Sequence, residues 1–313
     1  MKLLHLAKVA LLAGLHFMSV AALALPGPAS LLPRKDIALR DPIWDAILHL
    51  QLLGNPKNDF SCRSTVHPTP VILVHALLAN PAVDLNLLQH EMQRQNYCTF
   101  TVLYGNTQPL APWIGGLGDM RESSRTIADF VLEVVTKTGA GKVDLVGHSE
   151  GGVMALYVPM RYSNQVAQYI DHVVALGPAV HGAQYYGLTN LWYAGGDISR
   201  EVARGVLDLL GCPACDDMAT GGNIYDDFQK APRIAQEGNK VTIIMSRDDT
   251  LVAPEISRVD EASVRNVVVQ DTCPNDTVGH AYLAWDTSVW GLVFNALSED
   301  YDAPVRCDVQ PPI

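Results

Sequence analysis

The chain has 313 residues, 48 % of them apolar and 18 % charged, with a net charge of −11. This is the balance of an ordinary globular protein with one large domain or two small ones. The acidic excess argues against nucleic-acid binding and against electrostatic adhesion to anionic membranes.

Lys2 precedes an apolar stretch from Val9 to Leu25, Ala22-Leu23-Ala24 has the small-x-small form of a cleavage site, and Pro26-Gly27-Pro28 follows at once. Residues 1–24 therefore read as a secretory signal peptide rather than a membrane anchor. No other stretch is long and apolar enough to span a bilayer. Residues 25–60 read as an extended or short-helical lead-in, with a helix start at Asp41-Pro42-Ile43-Trp44.

Residues 61–313 read as one domain. Val71-Ile72-Leu73-Val74 is a continuous apolar run, the pattern of a strand buried on both faces. A helix is expected over about 83–95, then a strand at Thr99-Phe100-Thr101-Val102-Leu103. Gly118 and Asp119 precede a long amphipathic helix bearing Ile127, Val131, Val134 and Val135. Val143-Asp144-Leu145-Val146 is the next strand, followed by a helix to about Tyr162 and a strand at Val173-Val174-Ala175-Leu176. Residues 182–235 are the least regular. They read as a lid or acyl-pocket wall with Leu188, Leu191, Trp192, Tyr193, Leu207, Leu209 and Leu210 as its apolar face, or equally as an inserted helix pair. Strands at Val241–Met245 and Asn266–Val269 and a helix over about 285–297 complete the chain. Alternating strands and helices predict an α/β fold, a mainly parallel sheet with helices on both faces.

Between the strand at 143–146 and the helix after it stands Gly147-His148-Ser149-Glu150-Gly151. This is the Gly-x-Ser-x-Gly nucleophile elbow in its strand–turn–helix context. The sharp turn projects the serine hydroxyl from the end of the sheet, and small residues on either side let neighbouring backbone pass close by. The first amides of the next helix then face any oxyanion formed at Ser149.

A serine hydroxyl needs a base, and the base needs an orienting acid. In this architecture the order is Ser, acid, His, with the acid after a late strand. Asp248 and Asp249 follow the strand ending at Met245, and His280 precedes the last helix. Spacing alone does not separate the two aspartates. His148 adjoins the nucleophile, and that neighbouring position should turn it away from Ser149. The oxyanion donors are expected to be the backbone amides of Glu150 and of Leu77, in the loop Val74-His75-Ala76-Leu77.

Six cysteines suit an oxidising compartment. Sequence neighbours suggest the pairs Cys62–Cys98, Cys212–Cys215 and Cys273–Cys307, one of many connectivities. Cys212-Pro213-Ala214-Cys215 could instead be a redox pair, but it does not open a helix after a strand. A zinc site is disfavoured because no second Cys/His pair lies at ligand spacing. Asn275-Asp276-Thr277 is a glycosylation sequon whose closeness to His280 argues against its use.

These blocks together resemble the secreted class 2 lipases, microbial triacylglycerol lipases of the α/β-hydrolase fold. The resemblance runs from about Val71 to Leu297. It rests on Val71–His75, Asn96-Tyr97-Cys98, the elbow from Lys142 to Gly152, Leu176–Gly182, Cys212–Cys215 and Asp271-Thr272-Cys273-Pro274. It implies Asp249, not Asp248, as the acid, and His280 as the base. Two positions depart from the family pattern. The usual glycine after the oxyanion-loop histidine is Ala76, which is strained if that position needs a positive φ. The residue after the nucleophile is Glu150, whose carboxylate beside the oxyanion site is expected to raise the pKa of His280 or to disfavour the negative intermediate.

The resemblance implies a secreted, extracellular serine hydrolase cleaving carboxylic esters, with triacylglycerols at an oil–water interface as the expected substrates. His75, Leu188 and Trp192 are expected to border the substrate. No metal, organic cofactor or nucleic acid is expected, and a monomer is the default. The alternatives are an acyltransferase using the same triad and a non-catalytic binding protein of the same fold.

Overall fold

A computed structural model of the protein describes residues 57–183, 204–208 and 211–307. The expected signal peptide, nearly all of the lead-in, Leu188, Leu191, Trp192, Tyr193, Leu209 and Leu210 lie outside the described residues.

Six strands, β1 (Val71–Val74), β2 (Thr99–Val102), β3 (Val143–His148), β4 (Ile170–Leu176), β5 (Lys240–Met245) and β6 (Val264–Val268), form one sheet in the order β2-β1-β3-β4-β5-β6. Every pairing is parallel. The sheet is α/β-hydrolase-like in its connectivity: helices return the chain from the end of each strand to the start of the next.

The strands are apolar without alternation because both faces are covered. Ile72 and Val74 of β1 join one core with Ile127, Val131 and Val134 of helix α2 (Met120–Thr138) and Val153 and Met154 of α3 (Glu150–Arg161). Val71 and Leu73 face the other way, onto Leu88 and Met92 of α1 (Asn86–Arg94) and Val289, Leu292 and Val293 of the last long helix (Thr287–Ser298). The start of α2 is set by Asp119, whose side chain accepts from Glu122 N–H (3.0 Å). Its end is set by Gly139 in the left-handed conformation. The last long helix begins at Thr287, two residues later than its sequence pattern suggests. Residues Ala281–Ala284 instead form a tighter turn, and Asp286 caps the helix by accepting from Ser288 and Val289 N–H.

Three disulfides join Cys62 to Cys98, Cys212 to Cys215 and Cys273 to Cys307, pairing sequence neighbours throughout. The described part of 182–235 is anchored to the body. Arg121 of α2 donates to both carboxylate oxygens of Asp227 (3.0 and 2.7 Å), and Tyr157 of α3 donates to the same group (2.5 Å). Among the described residues, no helix is long and apolar enough to cross a membrane.

Candidate active site

The chain leaves β1 toward β2 on one side and enters β3 on the other, so the sheet order reverses between β1 and β3. Loops beyond the carboxyl ends of these two strands diverge and leave a crevice. Ser149 stands directly after β3, and the loop His75–Leu78 directly after β1.

Ser149 has φ 54° and ψ −118°, a left-handed φ rare for a residue with a side chain. Its N–H donates to Leu176 O (2.8 Å), tying the elbow to the end of β4. The turn is possible only because Gly147 and Gly151 bring backbone into contact. A Cβ on Gly147 would overlap the carbonyl of Gly151, and one on Gly151 would overlap that of Val74.

His280 Nε2 lies 2.8 Å from Ser149 Oγ, and His280 Nδ1 lies 2.6 Å from Asp249 Oδ2. The other Asp249 oxygen accepts from Leu251 N–H (2.9 Å) and Val252 N–H (2.7 Å). Asp249 is buried, whereas Asp248 faces solvent and accepts only a 3.2 Å contact from Gln270 Nε2. Gly177, at the end of β4, makes room for this group: a Cβ there would stand 3.3 Å from the His280 ring and 3.4 Å from Asp249 Oδ2. The arrangement can pass a proton from a serine hydroxyl to an imidazole held by a carboxylate.

Glu150 opens α3, so its amide belongs to the first helical turn, which has no intrahelical acceptor. Leu77 lies across from the elbow, and Gly116 packs against its Cα at what would be 2.9 Å from a Cβ. Two sequence expectations about this region change. Ala76 is not left-handed; the loop's positive φ falls on Leu78 (59°), so the missing glycine carries no strain at position 76. Glu150 also presents no exposed carboxyl at the site. Its side chain turns inward and is fully buried among Tyr104, Gly116 and neighbours, with no hydrogen bond to either oxygen. Burial pushes the Glu150 carboxyl well above its usual range, outweighing the nearby Tyr104 hydroxyl, and the Asp217 carboxylate adds to the rise.

His75 lies behind the loop. Its ring is 2 % exposed, stacks on Tyr104 at 4.4 Å, and hydrogen-bonds through Nδ1 to Ala76 O (2.9 Å). Burial lowers its basicity. Tyr104 O–H donates to His75 O (2.7 Å), so the pair supports the loop from inside.

Sequence reasoning missed Asp84. It is 5 % exposed and accepts from Ala76 N–H at Oδ2 (2.8 Å), while Oδ1 pairs with His148 Nδ1 (2.8 Å). As an acid just ahead of a helix it has an ordinary local reading, and nothing in its neighbours signals a partner 64 residues away.

Among the described residues one cluster has metal-ligand spacing: Asp144, Asp171 and His172, at the amino-terminal end of the sheet and away from Ser149. Lys142 (3.3 Å) and Lys240 (3.6 Å) already pair with Asp171, which leaves little demand for a further cation.

Residues 68–290, well over half of the chain, match the family model described as lipase (class 2). No curated protein matches the sequence. Among solved structures, lipase B of Aspergillus fumigatus is similar with a TM-score of 0.59 at 15 % identity, over 92 % of this chain and 68 % of that one. The propeptide form of Bacillus licheniformis lipase BlEst2 gives 0.55 at 17 % identity, over 83 % and 54 %. A soluble variant of monoglyceride lipase from Saccharomyces cerevisiae, in complex with a substrate analog, gives 0.51 at 16 % identity, over 81 % and 91 %. At these identities the likeness establishes the α/β-hydrolase fold.

Proposed function

Since the chain belongs to the class 2 lipase family, we propose that it is a secreted serine hydrolase that cleaves carboxylic esters, with triacylglycerols as its substrates. The observation that carries this reading is the chain of hydrogen bonds from Ser149 through His280 to Asp249 at the reversal of the sheet.

His280 Nε2 takes the proton of Ser149 as Oγ attacks the ester carbonyl. The carbonyl oxygen becomes an oxyanion and accepts from the Leu77 and Glu150 amides. Asp249, holding Nδ1–H, fixes the tautomer that leaves Nε2 free to accept, and stabilises the imidazolium. Collapse breaks the ester C–O bond. The alcohol leaves with the proton from His280, and the acyl group stays on Ser149. Water, deprotonated by His280, attacks the acyl-enzyme and releases the acid. Burial raises the Glu150 carboxyl, which lessens the opposition of its side chain to an oxyanion at its amide.

Secretion is supported by the leader-like composition of residues 1–24 and by three disulfides, which persist in oxidising compartments. The test is hydrolysis of p-nitrophenyl esters from short to long acyl chains, followed by emulsified triacylglycerol, with Ser149→Ala alongside. Long-chain and triacylglycerol hydrolysis that disappears in the variant is the expected result. Activity confined to short chains would make the protein an esterase. Alcohol-dependent ester formation exceeding hydrolysis would make it an acyltransferase, and an inactive wild type would overturn the reading.

A further inference from the structure

Three segments that meet at Ser149 are tied together by a buried pair that takes no part in the proton transfers of ester cleavage. Ala76 N–H donates to Asp84 Oδ2 (2.8 Å), and Asp84 Oδ1 pairs with His148 Nδ1 (2.8 Å). His148 Nε2 reaches the backbone carbonyl of His280 (2.9 Å). Trp285 Nε1 donates to the Asp84 carbonyl (2.7 Å) and fixes that residue's backbone against the segment after His280. Asp84 and His148 are 5 % and 3 % exposed, and the rings of His148 and His280 lie 5.4 Å apart.

Both partners of the His148 ring are acceptors, one a carboxylate oxygen and one a carbonyl. With Asp84 ionised, hydrogen bonds at both nitrogens require both to carry protons, which is the imidazolium form of His148 facing the Asp84 carboxylate. Burial pulls the imidazole toward its neutral form, but the Asp84 carboxylate outweighs it and the net displacement is upward. A buried ion pair is a weak source of stability, because desolvating two charges offsets their attraction. It is a strong source of geometry, because each charge-assisted bond is short and directional. Here the bonds end on Ala76, which precedes an oxyanion donor, and on the backbone of the residue that must shuttle a proton.

We propose that Asp84 and His148 are positioning residues, a buried carboxylate–imidazolium clamp that sets the oxyanion loop and the His280 backbone in register with Ser149. The proposal rests on Ser149 and His280 being the reacting groups. His280 can then swing between the serine and the leaving alcohol only by side-chain rotation, since its carbonyl is held from the residue next to the nucleophile.

The experiment compares wild type, Asp84→Asn, His148→Gln, the double variant that combines these two substitutions, and Ser149→Ala. Long-range proton–nitrogen spectra of the histidine-labelled full chain, with His148 assigned by its loss in His148→Gln, are recorded at pH 7. Kcat and KM for p-nitrophenyl butyrate are measured on the same samples. The expected result is a doubly protonated His148 in wild type and in Ser149→Ala. Asp84→Asn should render it neutral and move the His280 ring signals. Kcat should fall by about tenfold to a hundredfold in each clamp variant, with KM within about twofold, since small misplacements of reacting groups cost rate rather than binding. The double variant should be no slower than the slower single one, because the pair acts as a unit.

A neutral His148 in wild type overturns the clamp. So does a folded Asp84→Asn enzyme with unchanged kcat and His280 signals, or a loss expressed wholly in KM. If Asp84→Asn fails to fold, His148→Gln carries the same comparison. Absence of turnover in wild type, or turnover in Ser149→Ala, would remove Ser149 as nucleophile. The spectra need no turnover and still decide whether the charged pair grips His280.

Discussion

Gly151 packs its Cα against the carbonyl oxygen of Val74 so closely that a methyl group would overlap the oxygen. This contact brings the elbow after β3 against the loop after β1, and with it Ser149 against the loop that carries Leu77. Gly151→Ala is therefore expected to destabilise the protein by about 1–3 kcal/mol or more and to lower kcat. Gly141→Ala, with nothing within 4 Å of the added methyl and no positive φ, should stay within about 0.5 kcal/mol of wild type. Urea unfolding of the two variants measures the contrast, and equal stabilities would mean that the elbow can spread without cost.

Asp249→Asn keeps an oxygen for the Leu251 and Val252 amides but no longer guarantees an acceptor for His280 Nδ1. Kcat should drop by about 10⁴-fold, the cost of a wrong imidazole tautomer in a serine triad, with the fold intact. Asp248→Asn should leave the rate within about twofold, because its side chain faces solvent away from the imidazole. Reversed effects in steady-state assays would exchange the roles of the two aspartates.

The Glu150 carboxyl is raised in the folded protein by burial. As pH climbs past about 4.5, the unfolded chain releases this proton and the folded chain does not. Folding then loses stability at about 1.4 kcal/mol per pH unit until the folded group also ionises. Glu150→Gln cannot ionise, so its stability relative to wild type should grow as pH rises from 5 to 7. Parallel stability curves would show that the side chain is solvated. Because burial favours the protonated form of the wild-type group, the same variant should retain near wild-type kcat at pH 7.

At the opposite end of the sheet, buried Asp144 bridges His67 Nε2 (2.5 Å) and His172 Nδ1 (2.9 Å). Burial raises the Asp144 carboxyl, but hydrogen bonds from His172 and His67 outweigh it and the net displacement is downward. Burial likewise lowers His172, but its bond to Asp144 together with the negative charges of Asp144 and Asp171 outweighs that, so its net displacement is upward. The Asp144 contribution is thus present above the ordinary aspartate range and lost as pH falls through its depressed folded value. The His172 contribution is complete below about pH 6.5 and lost as pH rises through its elevated folded value. Asp144→Asn should cost about 3–5 kcal/mol near pH 6. The difference from wild type should narrow on both the acid and the alkaline side, as measured by urea unfolding across pH. A difference independent of pH would show that the bridge is not charged.

Much of this protein is written in short stretches of its sequence. Unalternating apolar runs such as Val71–Val74 can satisfy themselves only between two covering layers, so they announce a buried parallel sheet. Asp119 marks a helix start through its own side chain, and Gly147 and Gly151 mark a turn too tight for larger residues. Sequence order also brings Ser149, an aspartate pair and His280 to successive strand ends, because each follows its own strand. The rest came from the packing of distant segments. Asp249 is separated from Asp248 by burial, not by spacing. Ala76 escapes strain because the left-handed residue is Leu78. The Glu150 carboxyl is raised because the fold encloses it beside Tyr104 and Gly116, and His148 is drawn toward its protonated form by Asp84 and the His280 carbonyl, 64 and 132 residues away. The reason is physical: propensity and periodicity act over a few residues, whereas desolvation and hydrogen bonding depend on whatever the fold brings alongside.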